Sequence, residues 1–172
     1  MPQGFFTAET RENAEKTKVD LSTIFLLPFA GMYTQVVLDS IQVQRDILRQ
    51  ARAHAQLEPL LECCGMLAGC GGEITRIFPA TNAAAIPATS YEIAPKELFQ
   101  LTRAIRDAGL ELLGIYHSHP NGKNEPSPHD LEQAYYPEVA YFIISPLADA
   151  QRPLRAFSIR NRKAIELEIR EV

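Results

Sequence analysis

The sequence predicts an α/β (α+β) domain: a mixed, mostly antiparallel β-sheet flanked by helices. Three observations carry this prediction. Short apolar runs such as CGMLAG at 64–69 and VAYFIIS at 139–145 have the length and composition of buried strands. Helical spacing of apolar residues recurs at Ile41, Ile47, Leu48, Ala51 and Ala55, and again at Leu98, Leu101 and Ile105. Glycine, proline and asparagine punctuate the chain between these stretches, as turns require. The resulting order, β-α-β-β-(β)-α-β-α-β-β-β, implies a mixed sheet with helices packed against it.

Each element has a local reason. Residues 1 to about 20 are polar and carry no apolar period, and the run LSTIFLLPFAGM at 21–32 is broken by Pro28. Residues 1–32 are therefore read as an extension and 33–172 as the domain. A β-rich stretch, Met32–Leu38, opens it, and Asp39 or Ser40 then caps a helix running to about Leu57. Cys64–Gly69 is a strand ending in a glycine cluster, and Ile74–Phe78 is its hairpin partner. The stretch at 80–89 reads as loop and Ser90–Ile93 as a short strand. A second helix opens at Pro95 and stops at Gly109. Leu112–His117 is a strand, Ser127 begins a short helix, and Val139–Ser145 is a buried strand. Leu154–Arg160 and Ala164–Ile169 form a closing hairpin turned by Asn161-Arg162.

Composition narrows the function. The chain has 172 residues, 46% hydrophobic and 22% charged, which suits one globular domain with a sizeable core. A net charge of -4 with scattered Lys and Arg gives no basic field for nucleic acid. The apolar run at 21–32 is too short to span a bilayer, and the acidic residues Glu9, Glu12, Glu15 and Asp20 stand where a secretory signal carries positive charge. Three cysteines, two of them adjacent, make no disulfide framework. A cytoplasmic protein without membrane or nucleic-acid partners is expected.

The chemistry concentrates in HSHPNGKNEPSPHD, residues 117–130. On a strand, His117 and His119 project to one face and Ser118 turns away. Paired imidazoles suit a metal such as zinc, although the same spacing also occurs on solvated strands. Ser127 and Asp130 fit a capping box, with Pro128 in the first turn. That reading needs no chemistry, yet it leaves Asp130 able to meet a cation. Glu62, at the edge of a buried strand, is the best-placed general base, with Glu58 and Glu73 as rivals. His129 reads as exposed or as a neighbour of the site, His54 as a surface residue on a helix, and Cys64 as a small apolar residue.

Taken together, Glu62-Cys63-Cys64-Gly65, then His117-Ser118-His119-Pro120, a seven-residue spacer, and Ser127 with Asp130 resemble the signature of the JAMM (MPN+) metalloproteases. The resemblance runs from about residue 33 to 170 and implies the MPN/JAB, cytidine-deaminase-like fold. It implies that His117, His119 and Asp130 ligate one zinc per chain, with a water as fourth ligand. Glu62 would accept that water's proton and pass it to the leaving amine, and Ser127 would hydrogen-bond the oxyanion. The loop carrying Asn82 runs beside substrate in this family, which gives Asn82 a substrate-binding role beside its plain turn chemistry.

The compact chain resembles the prokaryotic stand-alone members that act on ubiquitin-like sulfur carriers, cleaving after a C-terminal Gly-Gly. Segments 81–89 and 90–93 are where an extended tail would add as a strand. Two other readings compete. One is a non-catalytic MPN scaffold that binds protein partners, against which the complete residue set counts. The other is a RadC-type DNA-repair-associated protein, against which the acidic balance counts.

Overall fold

The computed structural model describes residues 39–172. Its elements run β1 (Ser40–Val43), α1 (Arg45–Leu57), β2 (Cys64–Cys70), β3 (Glu73–Ala80), α2 (Pro95–Asp107), β4 (Glu111–Ser118), α3 (Pro128–Gln133), β5 (Ala140–Ile144), β6 (Leu154–Arg160) and β7 (Lys163–Glu171). The expected extension at 1–32 and the β-rich stretch at 32–38 lie outside the described residues.

The main departure from the sequence reading is at 39–44. The helix does not start at Asp39 or Ser40; Ser40–Val43 is a strand, and α1 follows Gln44, whose backbone is extended. Ile41 and Val43 face inward and Gln42 outward, the two-residue alternation of a strand. Four residues are too few to separate that pattern from helical spacing. β1 then lies parallel to both β3 and β7. This double pairing closes the sheet into a barrel in the order β1-β3-β2-β4-β5-β6-β7. Four of its seven pairings are antiparallel, as a mixed, mostly antiparallel sheet requires.

Strand composition follows from burial on two sides. Along β2, Leu67 packs with Ile47, Ala51 and Ala55 of α1, while Met66 and Ala68 pack with Ile105 of α2. Both faces are covered, which is why CGMLAG is continuously apolar instead of alternating. β5 is the same: Phe142 and Ile144 join the α1 side, and Tyr141 and Ile143 join a second cluster with Ile115 and Phe157. The β6–β7 turn is as read, with Asn161 and Arg162 both in left-handed backbone (φ 50° and 60°), the pair that a two-residue hairpin of matching twist needs. The expected strand at 90–93 shrinks to a single bridge between Asn82 and Ile93.

Gly65 marks a close approach between strands. A Cβ there would lie 2.5 Å from the Phe78 carbonyl oxygen and 2.5 Å from the ring of Tyr116. Tyr116 is fully buried, with its hydroxyl on His54 Nδ1 at 2.9 Å, so it has nowhere to move. Gly65→Ala is therefore expected to cost about 1–3 kcal/mol of stability through overpacking, seen as a lower thermal midpoint with secondary structure retained.

Candidate metal centre and catalytic cleft

β4 carries the first two functional side chains. It pairs with β2 and β5, and the ladder extends one residue past the strand through His119 N–H to the Ile144 carbonyl at 2.9 Å. His117 and His119 therefore stay on one face. Ser118 faces the other way and is fully buried. Its Oγ accepts from Cys63 N–H at 2.9 Å, and its N–H donates to the Cys63 carbonyl at 3.0 Å. A turn follows, closed by Gly122 N–H on the His119 carbonyl at 2.9 Å. Gly122 has φ 75°, and a Cβ there would come within 2.4 Å of Leu147; glycine alone fits.

The turn has a chemical result. It brings the Lys123 carbonyl onto His119 Nδ1, which takes the ring proton and leaves Nε2 as the bare nitrogen. That Nε2 lies 3.0 Å from His117 Nε2. Asp130 completes the group: Oδ1 is 3.3 Å from His117 Nε2, and Oδ2 is 3.3 Å from His119 Nε2. All three residues are buried. Asp130 arrives on α3, whose capping box is complete. Ser127 Oγ accepts from Asp130 N–H at 3.2 Å, and Asp130 Oδ2 accepts from Ser127 N–H at 2.7 Å. The capping reading and the cation reading thus coexist in one carboxylate.

This donor set fits a metal. Two imidazole nitrogens and a carboxylate converge with no positive side chain between them, and His117 Nδ1 is buried without a partner. Nitrogen and oxygen at this density, three from protein, match a catalytic zinc site with one position left open. Electrostatics agree. Burial works to raise the Asp130 pKa, but the imidazoles of His117 and His119 beside it outweigh burial and hold the carboxyl well below its usual range. Burial lowers His117, while for His119 the neighbouring Asp130 carboxylate and the Lys123 carbonyl overcome burial and raise it.

Glu62 and Ser127 line one cleft of about 460 Å³ together with His119 of the metal group, Leu60, Thr89 and Pro120. Glu62 is only 6% exposed, and burial pushes its carboxyl up to about 7, against the opposing pull of His119. The metal-free protein should show this as pH-dependent stability. An acid with a raised folded pKa keeps a proton that the unfolded chain releases, so stability falls as pH rises from 4.5 through about 7. Glu62→Gln removes that loss. Above pH 7 the metal-free variant is expected to be more stable than metal-free wild type by on the order of 1–2 kcal/mol after solvent screening. The gap should vanish at low pH, as read from chemical denaturation across pH.

Other expectations sort as follows. Among the rivals of Glu62, Glu58 lines a second groove that Glu62 also borders but not the cleft with His119 and Ser127, and Glu73 accepts from Gln44 at the opposite end of the β2–β3 hairpin. His129 is exposed and Cys64 fully buried, as read. His54 is not a plain surface residue, because the Tyr116 hydroxyl occupies its Nδ1. Asn82 is near Glu62, but its side chain is bonded entirely within the chain. Tyr91 was not foreseen: its ring stacks on His117 at 4.4 Å between centroids and 19° between planes. No spacing in the sequence signals that contact, since it depends on how the 82–92 loop folds back.

The chain is 41% identical over 102 residues to a desampylase of Haloferax volcanii, covering 58% of this chain and 73% of that protein. It is 39% identical over 113 residues to a probable TtuB-protein conjugate cleaving protease of Thermus thermophilus, covering 66% and 73%. Over 119 residues it is 33% identical to a CysO-cysteine peptidase of Mycobacterium tuberculosis, covering 68% and 81%. A solution structure from Desulfitobacterium hafniense superposes with a TM-score of 0.67 at 31% identity, covering 77% of this chain and 92% of that one. Residues 44–160 match the family described as prokaryotic homologs of the JAB domain, and the chain belongs to that family.

Proposed function

We propose that this protein is a zinc metallopeptidase that hydrolyses an amide bond at the C-terminus of a ubiquitin-like or sulfur-carrier protein. The observation that carries the reading is the convergence of His117, His119 and Asp130 at the edge of a cleft that His119 lines together with Glu62 and Ser127. Relatives whose names specify cleavage of a protein conjugate and of a CysO-cysteine bond support the substrate class.

His117, His119 and Asp130 would hold the metal, one per chain. When bound, zinc would supply Lewis-acid polarisation and lower the pKa of a water to about 7. Glu62 receives the proton of the attacking water and delivers it to the departing amine, a task suited to a carboxylate whose surroundings lift its pKa toward neutrality. Ser127 Oγ already accepts from Asp130 N–H, so its O–H is directed elsewhere and donates to the scissile carbonyl oxygen as charge develops there. The capping box fixes that hydroxyl. Leu60, Thr89 and Pro120 line the same cleft, which an extended tail would enter without its folded body.

Ser127→Ala is expected to lower kcat by roughly 10²–10³ if the hydroxyl stabilises the oxyanion. Loss of the cap alone costs about 1 kcal/mol of stability and would leave kcat intact, so kinetics and melting measured together separate the two. The cytoplasm is the proposed compartment, because Cys63, Cys64 and Cys70 are all free thiols.

The direct test incubates zinc-loaded protein with a ubiquitin-like carrier bearing a residue added after its C-terminal Gly-Gly, followed by mass spectrometry. Release of the added residue, abolished by EDTA and restored by zinc, is expected. Intact carrier after prolonged incubation, with metal present, rejects the reading.

A further inference from the structure

Asn82 follows β3, where the chain leaves the barrel for the 82–92 loop. Its side chain makes four hydrogen bonds. Nδ2 donates to the carbonyls of Glu62 and Ser90, both at 2.9 Å, and Oδ1 accepts from the N–H groups of Ala84 at 2.9 Å and Glu92 at 3.1 Å. An amide side chain offers two donor hydrogens and two acceptor lone pairs, so all of its capacity is used and none remains for substrate.

The bonds converge on the site. Glu62 N–H donates to the Pro87 carbonyl at 2.7 Å, so both backbone polar groups of Glu62 are tied to the loop that Asn82 closes. On its other side Glu62 is restrained only through Cys63, which Ser118 pins to β4. Ser90 and Glu92, held by the remaining Asn82 bonds, flank Tyr91, the ring stacked on His117. Backbone bonds accompany the amide: Ala83 N–H on the Glu92 carbonyl at 2.8 Å and the Asn82–Ile93 bridge stand at the neck of the loop, and Thr89 and Ser90 N–H on the Ile86 carbonyl at 3.1 and 3.2 Å turn it, but none of these reaches Glu62.

We propose that Asn82 is a positioning residue. One amide sets both the carboxylate of Glu62 and the ring of Tyr91 against the histidine pair. The kinetic part rests on the reading of Glu62 as proton acceptor; the bonding network does not. A displacement of about 1 Å at a catalytic group is enough to cost roughly 10²-fold in rate.

Asn82→Asp tests this. It keeps the acceptors for Ala84 and Glu92 but presents oxygen, not N–H, to the carbonyls of Glu62 and Ser90. Two readouts apply. By NMR, exchange of the Glu62 amide should accelerate by about tenfold or more, as local opening becomes easier, while amides of β5 hold their protection. With the extended ubiquitin-like carrier, kcat should fall roughly 10–10²-fold, with KM within about twofold and zinc per chain unchanged. Asn82→Ser, whose hydroxyl donates once, should fall between the two.

A raised KM with kcat preserved assigns Asn82 to substrate and overturns the proposal. So does unaltered Glu62 exchange. If Asn82→Asp does not fold, the same readouts on Asn82→Ser decide; if neither folds, the residue serves the fold and the proposal fails. Should wild type cleave no carrier at all, the functional reading falls, and the exchange result still decides the role of Asn82.

Discussion

Glu62→Gln is expected to reduce hydrolysis by roughly 10²–10⁴-fold, the usual contribution of a positioned acid–base group, while leaving metal content unchanged. The side chains are nearly isosteric, and the backbone of residue 62 stays tied to Pro87 and Asn82 whichever is present. The geometry of His117, His119 and Asp130 does not involve the Glu62 carboxylate in any hydrogen bond. What the amide lacks is the ability to take a proton. Steady-state kinetics beside elemental analysis read both quantities on one preparation. Normal turnover in the variant would transfer the base to another group and remove the main reason for the burial of Glu62.

His119→Ala is expected to lose the metal altogether, and with it all activity. Wild type should carry about one zinc per chain; the variant should carry close to none after dialysis without chelator. The loss is larger than one ligand's share. His119 also takes the Lys123 carbonyl on Nδ1 and donates its own N–H to Ile144, so its ring is aimed by two backbone contacts, and ligands oriented in this way bind far better than free ones. Removing the ring also leaves Asp130 Oδ2 without its imidazole partner. Full zinc occupancy in His119→Ala would refute the ligand assignment, because His117 and Asp130 alone leave two positions open.

Much of the site was legible because its parts are close in sequence. His117, His119, Ser127 and Asp130 sit within one strand, one turn and one helix start, so alternation and capping rules placed them correctly on their elements. Glu62 was legible only by its context, since the bond that fixes Cys63 to Ser118 spans 55 residues. Contacts of that kind leave no periodic trace. The same is true of Tyr91 against His117, and of His54, whose helical setting suggested solvent while a tyrosine from β4 holds its ring. Asn82 was singled out for substrate or for turn chemistry, but none of its four side-chain bonds could be read from spacing, because a folded-back loop makes them. β1 was misread because Ile41 fits both a strand and a helix face, and because its partners, β3 and β7, lie far along the chain. Barrel closure, being a property of that strand's two pairings, went with it.

The capping box has a wider consequence. Asp130 belongs at once to the first turn of α3 and to the metal group, and His119 stands at the opposite end of the intervening segment. A cation bound there is therefore a crosslink, closing the loop between the two residues much as a disulfide would, and its withdrawal releases loop and helix together. A helix of six residues has little stability of its own. Metal occupancy then becomes a matter of the protein's durability as well as its chemistry: the depleted form should offer proteases the stretch around Lys123, and the loaded form should withhold it.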